Sequence, residues 1–124
     1  MKKIIVVLMV AFVSTLSYAQ NKNAKTKIEV DGVCGMCKVR IEKAALDTKG
    51  VKSAVWDLET HHLDLIFDER KTNIQQISQN IADAGHDTRM IKATDEAYLS
   101  VHDCCRYRDA QVKEEHEKEK KKDN

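Results

Sequence analysis

Apolar and polar residues fall into six periodic segments between residues 26 and 91. Residues 26–30 alternate, with Ile28 and Val30 on one side and Lys27 and Glu29 on the other, the pattern of a half-buried strand. Residues 37–48 shift to helical spacing. Ile41, Ala44, Ala45 and Thr48 share one face, and Lys38, Arg40, Glu42 and Lys43 supply polar surface. Gly50 stands where a helix ends in a left-handed residue. Alternation returns over residues 51–58 through Ala54, Trp56 and Leu58, and over residues 62–68 through Leu63, Leu65 and Phe67. A short polar turn joins the two, so they read as a hairpin, with His61 and His62 as solvated turn residues remote from the cysteines. Thr72 or Asn73 can cap a second helix whose apolar positions are Ile74, Ile77, Ile81 and Ala84. Gly85 stops it, and residues 86–91 read as a short last strand.

The order strand, helix, strand, strand, helix, strand predicts an α+β domain of the split β-α-β, ferredoxin-like βαββαβ kind. Four antiparallel strands would carry both helices on one face, over a core of Ile28, Ile41, Trp56, Phe67 and Ile77. So small a core leaves no room for a substrate cavity, which argues against an enzyme.

Residues 1–19 stand apart from this pattern. Lys2 and Lys3 precede an unbroken apolar run over residues 4–13, and Ser17 and Ala19 supply small residues for cleavage after Ala19. That is the form of a secretory signal peptide, and the run is shorter than the ~20 residues of a membrane span. The mature chain is expected in an oxidising compartment, the periplasm being first choice, with no stable membrane insertion. Losing Lys2 and Lys3 takes the formal net charge from +1 to −1, so no basic excess points to nucleic acid. The expected organisation is signal peptide 1–19, leader 20–25, domain 26–92, extension 93–107 and charged tail 108–124.

The chemistry lies in the cysteines, at positions 34, 37, 104 and 105. Cys34 and Cys37 occupy a glycine loop between the first strand and the first helix. Two thiols three residues apart there can close on one atom, and the free N–H groups and dipole of a helix start favour thiolate. Thiolate both holds a soft metal and attacks disulfides. Thioredoxin-like proteins, which also start a helix with Cys-x-x-Cys, need a cis-proline opposite it, and this chain contains no proline.

With the loop in place, residues 26–91 resemble the heavy-metal-associated domain, the module of copper chaperones, of the N-termini of metal-pumping P-type ATPases and of periplasmic mercury-binding proteins. The resemblance is carried by Cys34-x-x-Cys37, by Ile41-Glu42 after the second thiol, by Gly50-Val51 at the second strand and by Ala84-Gly85 at the end of the second helix. It implies that Cys34 and Cys37 bind one ion near the surface and pass it to a partner by ligand exchange. Two departures stand out. The segment Gly32-Val33-Cys34 is one residue shorter than the usual Gly-Met-x-Cys and lacks its methionine, a core plug in the family, so a looser loop is expected; Met36 lies between the cysteines instead. His86 replaces a frequent aromatic residue, and the fold would place it opposite the thiols as a candidate third ligand.

The resemblance does not reach the extension, where His102, Cys104 and Cys105 form a second cluster of metal-binding residue types. About ten residues from Lys92 can span over 30 Å when extended at roughly 3.3–3.6 Å each, enough to bring these thiols back to the Cys34–Cys37 loop. The tail beyond mixes Lys and Glu, with Glu114–Lys118 and Glu117–Lys121 at helical spacing and no apolar face, which suits a solvated helix or disorder. The expectation is a secreted, non-enzymatic soft-metal carrier. Cu(I) is first choice; Zn(II), in a four-coordinate site with His86 and the tail thiols, and Hg(II) are alternatives. The expected partner is a metal-transporting ATPase domain or another metal acceptor, met by Lys38, Arg40 and Lys43. A sequestering or sensing protein and a thiol–disulfide redox protein are the other readings.

Overall fold

The computed structural model describes residues 19–123. The expected signal peptide therefore lies outside the described residues except for Ala19. The elements are β1 (Ala24–Glu29), α1 (Gly35–Leu46), β2 (Val51–Trp56), β3 (His62–Phe67), α2 (Ile74–Asp83), α3 (Asp95–Leu99), a 3-10 turn (Asp103–Cys105) and α4 (Ala110–Lys122).

The three strands form an antiparallel sheet in the order β1-β3-β2, with Thr26 opposite Leu65 and Ala54 opposite the same residue on the other side. Alternation sends Ala54, Trp56, Leu63, Leu65 and Phe67 inward and leaves Lys25, Lys27, Val55 and Asp64 exposed. Against the inner face α1 buries Cys37, Ile41 and Ala45, and α2 buries Ile77, Ser78, Ile81 and Ala82. Asn73 caps α2, its side-chain oxygen accepting from Gln76 N at 2.9 Å.

The expected fourth strand does not form. Its place is marked by one antiparallel bridge, Val30 with Thr88, and by Asp31 N donating to Asp87 O at 2.9 Å. The chain then turns on itself: Thr88 N donates to Ile91 O at 2.8 Å and Ile91 N to Thr88 Oγ1 at 3.0 Å. These bonds consume groups that a longer ladder along β1 would require.

The hairpin turn is also not where it was expected. β1 and β2 both pair antiparallel with β3 and so run the same way, which puts the β2–β3 turn at the end of the sheet where β1 enters the cysteine loop. Val30 N donates to His61 O at 2.9 Å, and the half-buried His61 ring stacks on Trp56 with centroids 5.5 Å apart.

The extension packs into the same core: Val101, Cys105 and Tyr107 are buried in one cluster with the strand and helix residues. Gly85 makes this approach possible. Its φ is +104°, in the left-handed region, and a Cβ there would lie 2.7 Å from both Ala97 O and Val101 Cγ1. Beyond Arg108 the charged stretch is helical over α4 and buries no residue.

Candidate metal centre

β1 delivers the chain into the loop at Val30, and α1 receives it at Cys34, the N-cap residue, whose extended backbone (φ −148°, ψ 172°) aims its thiol at the first helical turn. No side chain caps this helix start, so its N–H groups face the loop sulfurs. The loop is not loose. The Trp56 ring, 1% exposed, lies beneath Gly32, where a Cβ would sit 2.9 Å from Cη2, and Trp56 Nε1 donates to Val30 O at 3.0 Å. This indole fills the space under the loop that the missing methionine was expected to leave empty.

All four cysteines are free thiols. Cys34 Sγ lies 3.4 Å from Cys37 Sγ and 3.2 Å from Cys105 Sγ. Cys104 Sγ lies 3.9 Å from Cys105 Sγ and 3.5 Å from Met36 Sδ. Five sulfur atoms thus run in an unbroken series, Cys37, Cys34, Cys105, Cys104, Met36, from the interior to the surface. Cys37 is 0% exposed, Cys105 1% and Cys34 9%, whereas Cys104 is exposed and Met36 is 47% exposed. The ligand atoms of Cys34, Cys104 and Cys105 all lie within 4.8 Å of one another.

The electrostatics single out one thiol. Burial opposes ionisation of Cys34, but the N–H groups of Cys37 and Met36 and the thiols of Cys105 and Cys37 outweigh it, and its pKa falls below the ordinary value. Burial raises Cys37, despite the Val33 N–H that points at its sulfur from 3.5 Å. Burial and the two neighbouring thiols push Cys105 far up. Of these three, Cys34 is therefore the thiol most readily ionised, with Cys37 and Cys105 within hydrogen-bond reach of its sulfur.

The extension is fastened beside the loop by Tyr107 and Arg108, two residues to which the sequence pattern assigns no role. The Tyr107 hydroxyl donates to Gly85 O at 2.7 Å and accepts from Asp87 N at 2.9 Å. Arg108 holds the Asp87 carboxylate with two bonds, 2.7 and 3.1 Å, and donates to Ala93 O at 2.8 Å. Its guanidinium lies 4.4 Å above the Tyr98 ring. Cys105 is two residues before this clamp, so its sulfur is fixed by the fold. The buried residues Val101 and Cys105, four apart in a polar stretch, were the available signal.

The remaining candidates are placed differently. His86 is fully buried; its Nδ1 is 2.8 Å from Asp31 O, its Nε2 has no partner, and its ring stacks on Tyr107 at 5.3 Å. Its ring is covered by the extension and is not among the ligand atoms that converge. His102 is exposed and lines a hollow of about 330 Å³ with Met36, Val39, Arg40, Lys43 and Cys105. Of the basic residues, Lys38 donates to Trp56 O and Glu42, and Lys43 pairs with Asp47. Arg40 donates to Ala84 O and Ser100 Oγ, bracing the extension.

The comparisons agree with this geometry. The heavy-metal-associated domain family matches residues 27–87. The "Copper chaperone CopZ" of Staphylococcus haemolyticus is 32% identical over 63 residues, 50% of this chain and 93% of the relative. The "Mercuric transport protein periplasmic component" of Pseudomonas aeruginosa is 30% identical over 87 residues, 69% of this chain and 93% of the relative. Among solved structures a "CopZ metallochaperone" aligns with a TM-score of 0.51 and 32% identity over 52% of this chain and 98% of the other.

Proposed function

The chain belongs to the heavy-metal-associated domain family, and from that premise we propose that it binds one soft metal ion through Cys34 and Cys37 and hands it on by ligand exchange. The observation that carries the reading is the pair of sulfurs 3.4 Å apart at the open start of α1, with the Cys34 pKa lowered by neighbouring N–H groups and thiols against the effect of burial. A thiolate at a helix N-terminus gives the first bond to an arriving ion, and the second thiol follows as it loses its proton. Relatives are metallochaperones and metal carriers rather than enzymes.

Cu(I) is the cargo this reading favours, since soft thiolate and thioether donors select it; Zn(II) and Hg(II) are the competing cargoes. Cleavage after Ala19 would place the protein in the periplasm. A metal-transporting ATPase domain is the proposed acceptor, approached across the hollow rimmed by Arg40, Lys43 and His102. Sequestration without an acceptor is favoured by one specific observation, the burial of three of the four thiols.

The test is native mass spectrometry of the protein purified from periplasm without added metal, followed by mixing with a Cys-x-x-Cys ATPase domain. One copper per chain that moves to the acceptor supports the carrier reading. Copper that stays bound supports sequestration, and absence of any soft metal from a fully reduced protein overturns both.

A further inference from the structure

We infer that the C-terminal extension is part of the metal site: Cys105 is the third thiolate of a shielded three-sulfur centre with Cys34 and Cys37, and Cys104 with Met36 is its outer station, where the ion first lands and from which it leaves. This deepens the proposed function and rests on the Cys34–Cys37 pair binding metal.

The placement of Cys105 is built rather than incidental. It is 1% exposed and sits in the same core cluster as Cys34 and Cys37. The clamp of Tyr107 and Arg108 on Gly85 and Asp87 fixes it two residues away, and Gly85 lacks the Cβ that would push α3 off. Cys105 N donates to His102 O at 2.8 Å, closing the 3-10 turn that aims the thiol at Cys34.

The spacing suits an ion. With metal–sulfur bonds of about 2.3 Å, as for zinc, three sulfurs in a plane stand about 4.0 Å apart. The Cys34–Cys37 and Cys34–Cys105 distances of 3.4 and 3.2 Å give two of the three edges, and each needs only a small outward shift of the side chains to accept it; Cys104, also within 4.8 Å of Cys34 and Cys105, is set apart by its exposure. Each thiol that ligates gives its proton to solvent, and the ion keeps its oxidation state throughout.

The outer pair differs in exposure and chemistry. Cys104 is exposed and Met36 half-exposed, with their sulfurs 3.5 Å apart. His116 from α4, its Nε2 2.8 Å from Cys104 O, holds the backbone of this corner. A thiol and a neutral thioether in water bind a soft ion weakly enough to release it. Passage between the stations proceeds by exchanging one sulfur at a time along the series, without the ion becoming free.

The experiment uses the full chain, reduced and anaerobic, loaded with Cu(I) from a chromophoric chelator. X-ray absorption reads the number of bound sulfurs, chelator competition reads affinity, and stopped-flow mixing reads release. The wild type is expected to show three sulfurs. Cys105→Ser drops the count to two and weakens binding at least about tenfold, the lower bound that even outer-shell partners of a metal contribute. Cys104→Ser and Met36→Leu keep three sulfurs and the affinity but slow loading and release several-fold. Should serine disturb the core, Cys105→Ala replaces it, and the wild-type count needs no variant at all. Two sulfurs in the wild type, with affinity unchanged in the Cys105 variants, overturns the inference. So does a four-sulfur wild-type site, which would make Cys104 an inner ligand. If Cys34→Ser/Cys37→Ser still abolishes binding in either case, the proposed function survives and only the role of the extension is lost.

Discussion

The Tyr107 hydroxyl donates to the Gly85 carbonyl oxygen across 2.7 Å, joining the extension to the end of α2. The same hydroxyl accepts from Asp87 N. Two backbone groups at the end of the domain therefore depend on one atom from outside it. Tyr107→Phe leaves both without that partner in a buried setting, at a cost of about 1–3 kcal/mol. Urea unfolding should show a lower midpoint with an unchanged slope, and Cys105 should alkylate faster. An unchanged midpoint and alkylation rate would mean that the hydroxyl does not hold the extension.

Gly85 tests the same junction from the other side. At φ +104° an alanine is strained, and its methyl would meet the Ala97 carbonyl oxygen at 2.7 Å, a backbone atom that cannot swing away. Gly85→Ala should cost at least about 1 kcal/mol and lift α3, which amide hydrogen exchange over residues 95–107 would register as faster exchange. Unaltered exchange there would contradict the packing described.

The fold was legible where apolar period alone decides it. Leu63 and Leu65, Ile77 and Ile81 face inward as their spacing predicts, because burial of one face per element fixes register and rotation. The fourth strand was misread because residues 86–91 carry a strand-like composition, whereas Thr88 closes a turn with Ile91 through its own hydroxyl. Period does not reveal a side chain that competes for backbone groups. Trp56 was counted as core, but its position under Gly32 depends on a long-range approach across the loop. His86 was read as facing the thiols because the aromatic residue that covers it, Tyr107, comes from a segment outside the family pattern. The return of Cys104 and Cys105 toward the loop could be judged feasible from chain length; the clamp that fixes it required the three-dimensional pairing of Asp87 with Arg108.

His86 gives the protein a defined acid response. Burial holds its pKa at about 4, against 6.5 for a free imidazole, and the bond to Asp31 O only partly opposes this. The unfolded chain takes up the proton near pH 6.5, whereas the folded chain does not until about 4. Stability is thus full above pH 6.5, declines as the pH falls below it, and has lost the His86 contribution once the pH passes through the folded value. The difference corresponds to roughly 3 kcal/mol. Asp87, whose pKa Arg108 lowers against the effect of burial, loses its contribution only at more acid pH. Chemical denaturation from pH 7 to 4 should show the decline, and His86→Phe should flatten it. A wild type with pH-independent stability over that range would contradict a buried neutral imidazole.

Trp56 links the core to the metal loop. Trp56→Ala removes the ring beneath Gly32 and the bond to Val30 O. The expected loss is about 3–5 kcal/mol, as for other buried aromatic truncations, together with weaker metal binding. Trp56→Phe should recover most of the stability and less of the affinity, because Val30 O at the loop entrance still lacks its donor. Full affinity in Trp56→Ala would show that the loop needs no support from below.

The central claim is that Cys34 and Cys37 hold a soft metal ion, and a Cu(I) titration of the reduced full chain against a chromophoric chelator tests it most directly. The wild type should take one ion per chain in competition with the chelator, and Cys34→Ser/Cys37→Ser should take none while its circular dichroism stays that of the wild type. Stoichiometric, chelator-resistant Cu(I) binding by the double serine variant would contradict the account.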